Sequence, residues 1–412
     1  MQRKSRLDAT NFLAMIMFSN QPLGQVSLED LANDFCEQNG ITISKQAIQE
    51  RFNDYAVIFM QNLLKEQLSR QLPILEKSGI YKPFNRIRIK DSTHYSLPKS
   101  YASIYKGYGG ISGPAQISIQ YEYDILNSKV MSLELTSACI NDQQDSRDSL
   151  HTIKKGDLLI RDLGYAPQGY IKHITNAEAF YINRLNSLWK IYDIQSNPID
   201  FVKVARKIKR YSLPFMDLNI LIRIGGELVP SRLMISPVDE KTYIQRIKKA
   251  QLKGNNSGYK LTDQYKASAS MNLFITNIPK TRMAAEEIRT LYRSRWQVEL
   301  IFKVWKSQAN IDKIKSVKLQ RFQCELLARL LWLLLHWQAL RLTQHLVTIR
   351  CSVWKFYKVA YRLSAHLRQV FLGQKPVKEW FEKLIKLATR KYRTELKKGK
   401  TDNFAILRMS LA

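Results

Sequence analysis

Hydrophobic positions along this chain change their period, and the changes divide it into successive stretches. From residue 1 to about 80 the spacing is helical. Phe12–Phe18 form a first apolar patch. Ser27-Leu-Glu-Asp opens a second helix, with Ser27 at the cap, Glu29 or Asp30 in the first turn and Leu28, Leu31, Ala32 and Phe35 behind them. Asn39-Gly40 stops that helix. Ser44 caps the next, which carries Ile48 and Phe52 and leads to the long apolar face of Tyr55–Leu68.

From about residue 84 the period falls to two. Across Asn85–Asp91, Ile87 and Ile89 alternate with Arg86, Arg88 and Lys90. Gln116–Tyr123, Val130–Thr136, Asp157–Asp162 and Ala179–Asn183 read as further strands, with helical Asp145–Ile153 and Ala166–Ile174 between some of them. A three-strand meander followed by alternating helices and strands predicts a mixed α/β sheet. Between about Leu185 and Met271 the composition shifts. Leu218–Ile224 and Leu228–Ile235 predict a hairpin about Gly225-Gly226, followed by the basic helix Lys241–Lys253 and a loose turn at Gly254–Gly258. Asn272–Ile278 returns to strand character, and from Ala284 the chain is helical almost to its end. The expected division is a helical region over 1–80, an α/β core over 81–184 and 272–310, a β-rich insertion over 185–271, and a basic helical region over 311–412.

Composition narrows the partner. The 412 residues are 45% hydrophobic and 24% charged, a globular balance that excludes a disordered or collagen-like chain. Lys and Arg outnumber Asp and Glu by 65 to 35, and a net charge of +30 calls for a polyanion, either nucleic acid or an anionic membrane. The strongest apolar run, Leu326–Trp337, contains Arg329 and His336 and falls short of the ~20 residues of a membrane span. It reads as a buried helix, so no membrane is expected and nucleic acid moves ahead. Cys36, Cys139, Cys324 and Cys351 are scattered, which argues for a reducing compartment and against a structural zinc site. Met1–Arg6 ahead of Phe12–Phe18 has the flavour of a leader, but Asp8 interrupts it and no small-residue cleavage site follows, so a first helix is expected. A cytoplasmic, nucleoid-associated protein is the resulting expectation.

Two places look suited to DNA. The helices around Asn39-Gly40 describe a helix-turn-helix with Lys45, Gln46, Gln49 and Arg51 exposed, and equally a bundle packed on the next domain. Residues 301–412 hold 24 Lys+Arg against 6 Asp+Glu, a balance of +18, with dense runs at Arg390-Lys391-x-Arg393 and Lys397-Lys398-Gly399-Lys400. Such runs contact phosphate backbones or form a solvated tail. The helices Phe322–Leu346 and Val377–Leu387 carry enough apolar surface to support dimer contacts.

The chemistry concentrates on Ala284–Gln308. Read as one helix at 100° per residue, it groups Tyr292, Arg295, Glu299, Lys303 and Lys306 on one face, opposite Val298, Ile301, Phe302, Val304 and Trp305. One acid among three cations is too few for i,i+4 pairing to explain the row, and phosphate explains it better. Asp91 and Asp162 each close a strand, on the same face as Ile87 and Ile89 or Leu158 and Ile160, and small polar loops follow both. Acids there are commonly caps or salt-bridge partners. Two of them on neighbouring strands facing Glu299 would make a hard oxygen site for Mg²⁺ or Mn²⁺, and two such ions suit phosphoryl transfer.

The spacing Tyr292-x2-Arg295-x3-Glu299-x6-Lys306 resembles the Tyr-Arg-Glu-Lys signature of the bacterial DDE transposases called insertion-sequence family four. Lys90-Asp91-Ser92-Thr93 is similar to that family's first aspartate block, and Arg161-Asp162-Leu163-Gly164-Tyr165 to its second. The resemblance spans about residues 80–310. It implies a ribonuclease H-like catalytic core interrupted by a largely β insertion, with Asp91, Asp162 and Glu299 as a triad holding two Mg²⁺ (or Mn²⁺) ions. It further implies that Tyr292, Arg295 and Lys306 hold phosphates of the transposon end. The partners implied are double-stranded DNA, as element ends and as target, and a second copy of the chain in a homodimer. Cut-and-paste through a hairpin on the transposon end is also implied. That step needs an aromatic for an extruded base: Trp296 in the motif is the first candidate, then Tyr165, with Trp189 the insertion's only tryptophan. His94, Asn183 and Arg184 are weaker candidates for the same cleft. Two other readings stay open, a metal-dependent nuclease or resolvase without strand transfer and a catalytically decayed DNA-binding repressor.

Overall fold

The computed structural model describes residues 7–391 apart from 20–22, 72–82, 110–112, 259 and 347–351. The basic runs at Arg393 and 397–400 lie outside the described residues. The chain opens with α1 (Ala9–Met17), α2 (Leu28–Asn39), α3 (Lys45–Arg51) and α4 (Asp54–Ser69). The Ser27 hydroxyl accepts from the Asp30 N–H at 2.9 Å, and the Asp30 carboxylate accepts from the Ser27 N–H at 3.3 Å, which is the reciprocal cap expected of this sequence. Gly40 ends α2 in the left-handed conformation (φ 64°) and Ser44 caps α3. The two helices pack together across that turn, with Lys45, Gln46 and Arg51 exposed.

Nine strands form one mixed sheet in the order β3-β2-β1-β4-β5-β9-β8-β7-β6. β1 (Arg86–Leu97), β2 (Ala115–Asp124) and β3 (Lys129–Ser137) make the antiparallel meander. β4 (Asp157–Arg161) and β5 (Phe180–Arg184) continue it in parallel with β1. α5 (Asp142–Asp148) and α6 (Gln168–Asn176) supply the intervening connections. This is the mixed α/β, ribonuclease H-like arrangement the sequence leads one to expect. β6 (Ile191–Tyr192), β7 (Met216–Ile224) and β8 (Glu227–Pro237) extend the same sheet, joined to β5 through β9 (Met271–Thr276). The β7–β8 turn holds Gly225 and Gly226 at φ 56° and 90°, the left-handed pair that a two-residue hairpin requires.

The segment between β5 and β9 also carries α7 (Phe201–Arg210), α8 (Glu240–Ser257) and α9 (Asp263–Ala269). α8 runs through Gly254, and the chain turns only at Gly258 (φ 70°), so the expected loose turn is the last stretch of a helix.

The expected single helix from Ala284 to Gln308 is two, α10 (Ala285–Arg293) and α11 (Trp296–Gln308). The Ser294 hydroxyl bonds back to the Leu291 carbonyl at 2.5 Å, and the amides of Ser294 and Arg295 take i−3 carbonyls at 3.0 and 3.2 Å. That tightened turn interrupts the α-helical ladder. α12 (Leu319–Leu346) follows, then α13 (Val353–Arg362), α14 (Ser364–Phe371) and α15 (Val377–Lys391). α12 is buried nearly all round because α1, α4, α13 and α15 pack on it. Among the described residues no helix is long and apolar enough to cross a membrane.

The sheet separates two cores. Ile87, Ile89, Leu158, Ile160 and Ile182 face α11 and α12, whereas Leu159 and Tyr181 face α6 and the helices between β5 and β9.

Candidate active site where β1 and β4 part

β1 and β4 are adjacent and parallel, with Ile89 beside Ile160. Asp91 and Asp162 each follow two residues later, so both carboxylates leave the sheet on the face covered by α11, where the pairing of β1 with β4 stops. Asp162 lies just past β4, but Asp91 does not close its strand as expected: β1 continues through Ser92, Thr93 and His94 to Leu97, because β2 stays paired with it over that length. α10 and α11 cross that point. The Tyr292 hydroxyl donates to Asp162 Oδ1 at 3.3 Å. Arg295 Nη1 donates to Asp91 Oδ2 at 2.7 Å, and its Nη2 to Glu299 Oε1 at 2.9 Å. One guanidinium therefore spans two acids, with the third a phenol away. Lys306 Nζ reaches the His94 carbonyl at 3.2 Å, about two turns beyond Glu299 along α11.

The break at Ser294 and Arg295 changes how the row is presented without scattering it. Tyr292 sits at the end of α10 against Phe274 of β9 (ring centroids 4.6 Å apart), and Arg295 and Glu299 sit one helical turn apart at the start of α11. Lys303 is exposed and makes no side-chain contact to these groups among the described residues. Trp296 is 58% exposed and so does not pack in the core. His94 is exposed at the rim, and Asn183 is fully buried on the opposite strand face from Ile182, with neither amide atom hydrogen-bonded.

Electrostatics marks the site as short of positive charge. Burial raises the Asp91 carboxyl to about 6; Arg295 and the Ser92 N–H oppose the rise, and Glu299 and Asp162 add to it. Burial raises the Tyr292 phenol and Asp162 adds to it, so it stays a neutral donor. Burial works against the Arg295 charge, but Tyr292, Asp91, Asp162 and Glu299 outweigh it. The Arg295 Nε is buried and unpartnered.

Three carboxylates against one arginine form an all-oxygen donor set that a hard divalent cation fits. Among the described residues no three acidic, histidine or cysteine side chains already converge as a ligand cage. Arg295 stands between Asp91 and Glu299 instead.

A feature the sequence reading did not locate opens beside the site. A cavity of about 1060 Å³ begins at Leu163 and Arg184 and runs along the β5–β9 segment past Trp189, Tyr192, Arg246 and Tyr265. Arg184 also lies near enough to Tyr292 to act on its phenol. Trp189, the insertion tryptophan that the resemblance offers as a hairpin aromatic, lines this cavity together with residues of β6, α8 and α9.

A family described as "Transposase DDE domain" matches residues 82–335. The transposase for insertion sequence element IS1151 of Clostridium perfringens is 30% identical over 364 residues, covering 81% of this chain and 74% of that protein. The transposase for IS231F of Bacillus thuringiensis subsp. israelensis is 28% identical over 80% of this chain and 72% of its own length. That for IS231D of Bacillus thuringiensis subsp. finitimus is 27% identical over 94% of this chain and 85% of its own. Among solved structures, a Drosophila P element transposase strand transfer complex covers 94% of this chain and 93% of that one, at 9% identity and a TM-score of 0.22, too low to bear on the fold.

Proposed function

This chain belongs to the DDE-domain transposases of insertion sequences, and from that premise we propose that it binds the terminal inverted repeats of its own element, cuts there and joins the freed 3′-hydroxyls to target DNA. The observation that carries this reading is the convergence of Tyr292, Arg295 and Glu299 on Asp91 and Asp162, side chains that lie 130 and 204 residues apart in the bonds Tyr292–Asp162 and Arg295–Asp91.

Asp91, Asp162 and Glu299 would hold two Mg²⁺ or Mn²⁺ ions. Bound there, the metal supplies charge to the scissile phosphate and a water or 3′-hydroxyl activated for attack. The chain's own part is positioning. Arg295 presents a planar fork beside Asp91 that matches two phosphate oxygens. The Tyr292 hydroxyl donates toward the same point, and Lys306, Lys303 and exposed Trp296 line the approach along α11. A base extruded at the hairpin step fits the cavity beginning at Leu163, with Trp189 or Tyr192 as the stacking ring and Arg184 near its phosphate. Trp296 serves better as a contact on the open DNA surface than as the wall of a pocket.

In this reading, residues 1–80 read the element end, 185–271 form the insertion, and the basic region 311–412 holds DNA backbone and supports a homodimer in the nucleoid. The test is Mg²⁺-dependent cleavage of a supercoiled plasmid carrying the element's ends, beside Glu299→Ala. Excision and joined products from the unaltered chain alone support the proposal. Nicking without joining turns it into a nuclease, and binding without cleavage into a repressor.

A further inference from the structure

On the sheet face turned away from Asp91 and Asp162, the same two strands carry a buried network of charge beside the aspartates. The residue before each aspartate is a cation: Lys90 precedes Asp91 and Arg161 precedes Asp162, and alternation sends both to the opposite face. Lys90 Nζ pairs with Asp145 Oδ2 of α5 at 2.6 Å, the two side chains being 3% and 8% exposed. Arg161 Nη2 meets Glu122 Oε1 of β2 at 2.6 Å, and Arg88 Nε meets the same oxygen at 2.7 Å. Arg161 Nη1 also donates to the Arg88 carbonyl at 2.9 Å, tying β4 to β1 through a side chain. Arg88 continues to Asp157, which Arg86 also holds.

α5 reaches past this network to Ser92, still within β1, and to the loop that follows Asp162. Ser92, next after Asp91, donates to Asp142 Oδ1 at 3.2 Å. Ser146 donates to the carbonyl of Tyr165 at 2.7 Å, three residues after Asp162. Gly164 lets that loop lie against α5, since a Cβ there would meet the Asp142 carboxylate at 3.0 Å. One helical segment thus touches β1 on either side of Asp91 and the loop after Asp162, by a charge and two hydroxyls.

Stability is a poor explanation for this arrangement. Buried ion pairs commonly contribute no more than well-packed apolar residues of the same volume, whereas they do fix geometry. Apart from the Asp157 pairs with Arg88 and Arg86, the described ties fall on residues within three positions of Asp91 or Asp162, or on β2 and α5 that join them. We infer that Lys90–Asp145, Arg161–Glu122–Arg88 and α5 are positioning groups that set the separation and aim of the Asp91 and Asp162 carboxylates. This rests on the reading of those two aspartates as metal ligands. The groups lie on the sheet face opposite the two carboxylates, and they act through β1 and β4.

The test measures Mg²⁺ half-saturation of plasmid nicking by the full chain, together with metal-free DNA binding and thermal stability, for Asp145→Asn. The expected result is a half-saturation raised about 10- to 100-fold, with metal-free DNA binding unchanged. Should Asp145→Asn fail to fold, the paired replacement Lys90→Met with Asp145→Leu restores an apolar contact, and the same shift in half-saturation is expected of it. A half-saturation equal to that of the unaltered chain in the folded variant overturns the inference, as does a loss that only follows the folded fraction. Asp91→Asn and Asp162→Asn run alongside. If either cleaves normally, the metal-ligand reading falls and this inference with it; if both are inactive while Asp145→Asn responds normally to Mg²⁺, only the positioning inference falls.

Discussion

The two faces of the sheet where β1 and β4 part hold charge in opposite ways. Toward α5 and α6, Glu122 is wholly buried, yet Arg161 and Arg88 outweigh the burial and hold it below the usual carboxylate range. Toward α10 and α11, Asp91 has a share of one arginine and is pushed up to about 6. Burial is common to both faces, so it does not make the difference. What differs is the supply of partners: two arginines share one glutamate on the first face, whereas on the second one arginine is divided between two acids and the third, Asp162, has the Tyr292 phenol. A saturated cluster holds shape. An unsaturated one is where a cation or a phosphate-bearing strand has something to add.

Removing acids from each face should separate these roles. On the α10–α11 face, Asp91→Asn, Asp162→Asn or Glu299→Gln should cost on the order of 10³-fold or more in strand cleavage, as expected when several kcal/mol of transition-state stabilisation go with the metal. Thermal midpoints should stay level or rise, since each change relieves repulsion; plasmid cleavage and calorimetry check the two halves. On the α5–α6 face, Glu122→Ala strands Arg88 and Arg161 and should destabilise the chain by ~3–5 kcal/mol, read by urea unfolding. If Glu122→Ala leaves stability intact, the distinction between the faces is lost.

Smaller effects sharpen the comparison. Trp189→Ala should slow hairpin formation about tenfold to hundredfold, because stacking one base is worth ~1–3 kcal/mol, and Trp296→Ala should slow it less; labelled element ends resolved on denaturing gels report both. The pH response should be smaller still. Asp91 titrates near 6 rather than at its ordinary 3.8, so cleavage should fall as pH drops through about 6, and added Mg²⁺ should push that limb lower by competing with the proton. For the metal-free chain the sign is fixed by proton count. Between 3.8 and about 6 the folded state binds a proton at Asp91 that the unfolded state does not, so this group's contribution to stability decreases as pH rises through that window. A cleavage profile flat from pH 5 to 7 in Mg²⁺-limited buffer would contradict the shift.

The alternation of Ile87 and Ile89 with Arg86, Arg88 and Lys90 was enough to place β1 and to bring Asp91 to the face of Asp162. It was not enough to say that the cationic face is buried. Period-two alternation looks the same whether the polar side meets water or a second layer, and only the ion partners on β2 and α5, distant in sequence, decide it. The helix break at Ser294 escaped for a local reason. Neither Ser294 nor Arg295 is a strong helix breaker, and the interruption comes from one hydroxyl bonding backward to Leu291. The signature residues still converge, because the tightened turn lies between Tyr292 and Glu299, where Arg295 can reach both β1 and α11. The cavity beside Leu163 was illegible because its walls, Trp189, Arg246 and Tyr265, come from three elements with no shared period.

The attachment of the first helices to α12 bears on how the chain is made. Gly24 donates its amide to Glu325 across 301 residues at 2.6 Å, and Arg321 and Arg329 bond the carbonyls of Val26 and Ser19. During synthesis at ~5–20 residues per second, the amino-terminal helices must wait about 15–60 s for their partner to emerge from the ribosome. A product truncated before α12 would leave the apolar sides of α1 and α4 exposed, a state open to chaperones and proteases. Early termination should therefore yield no stable competitor for the element's ends.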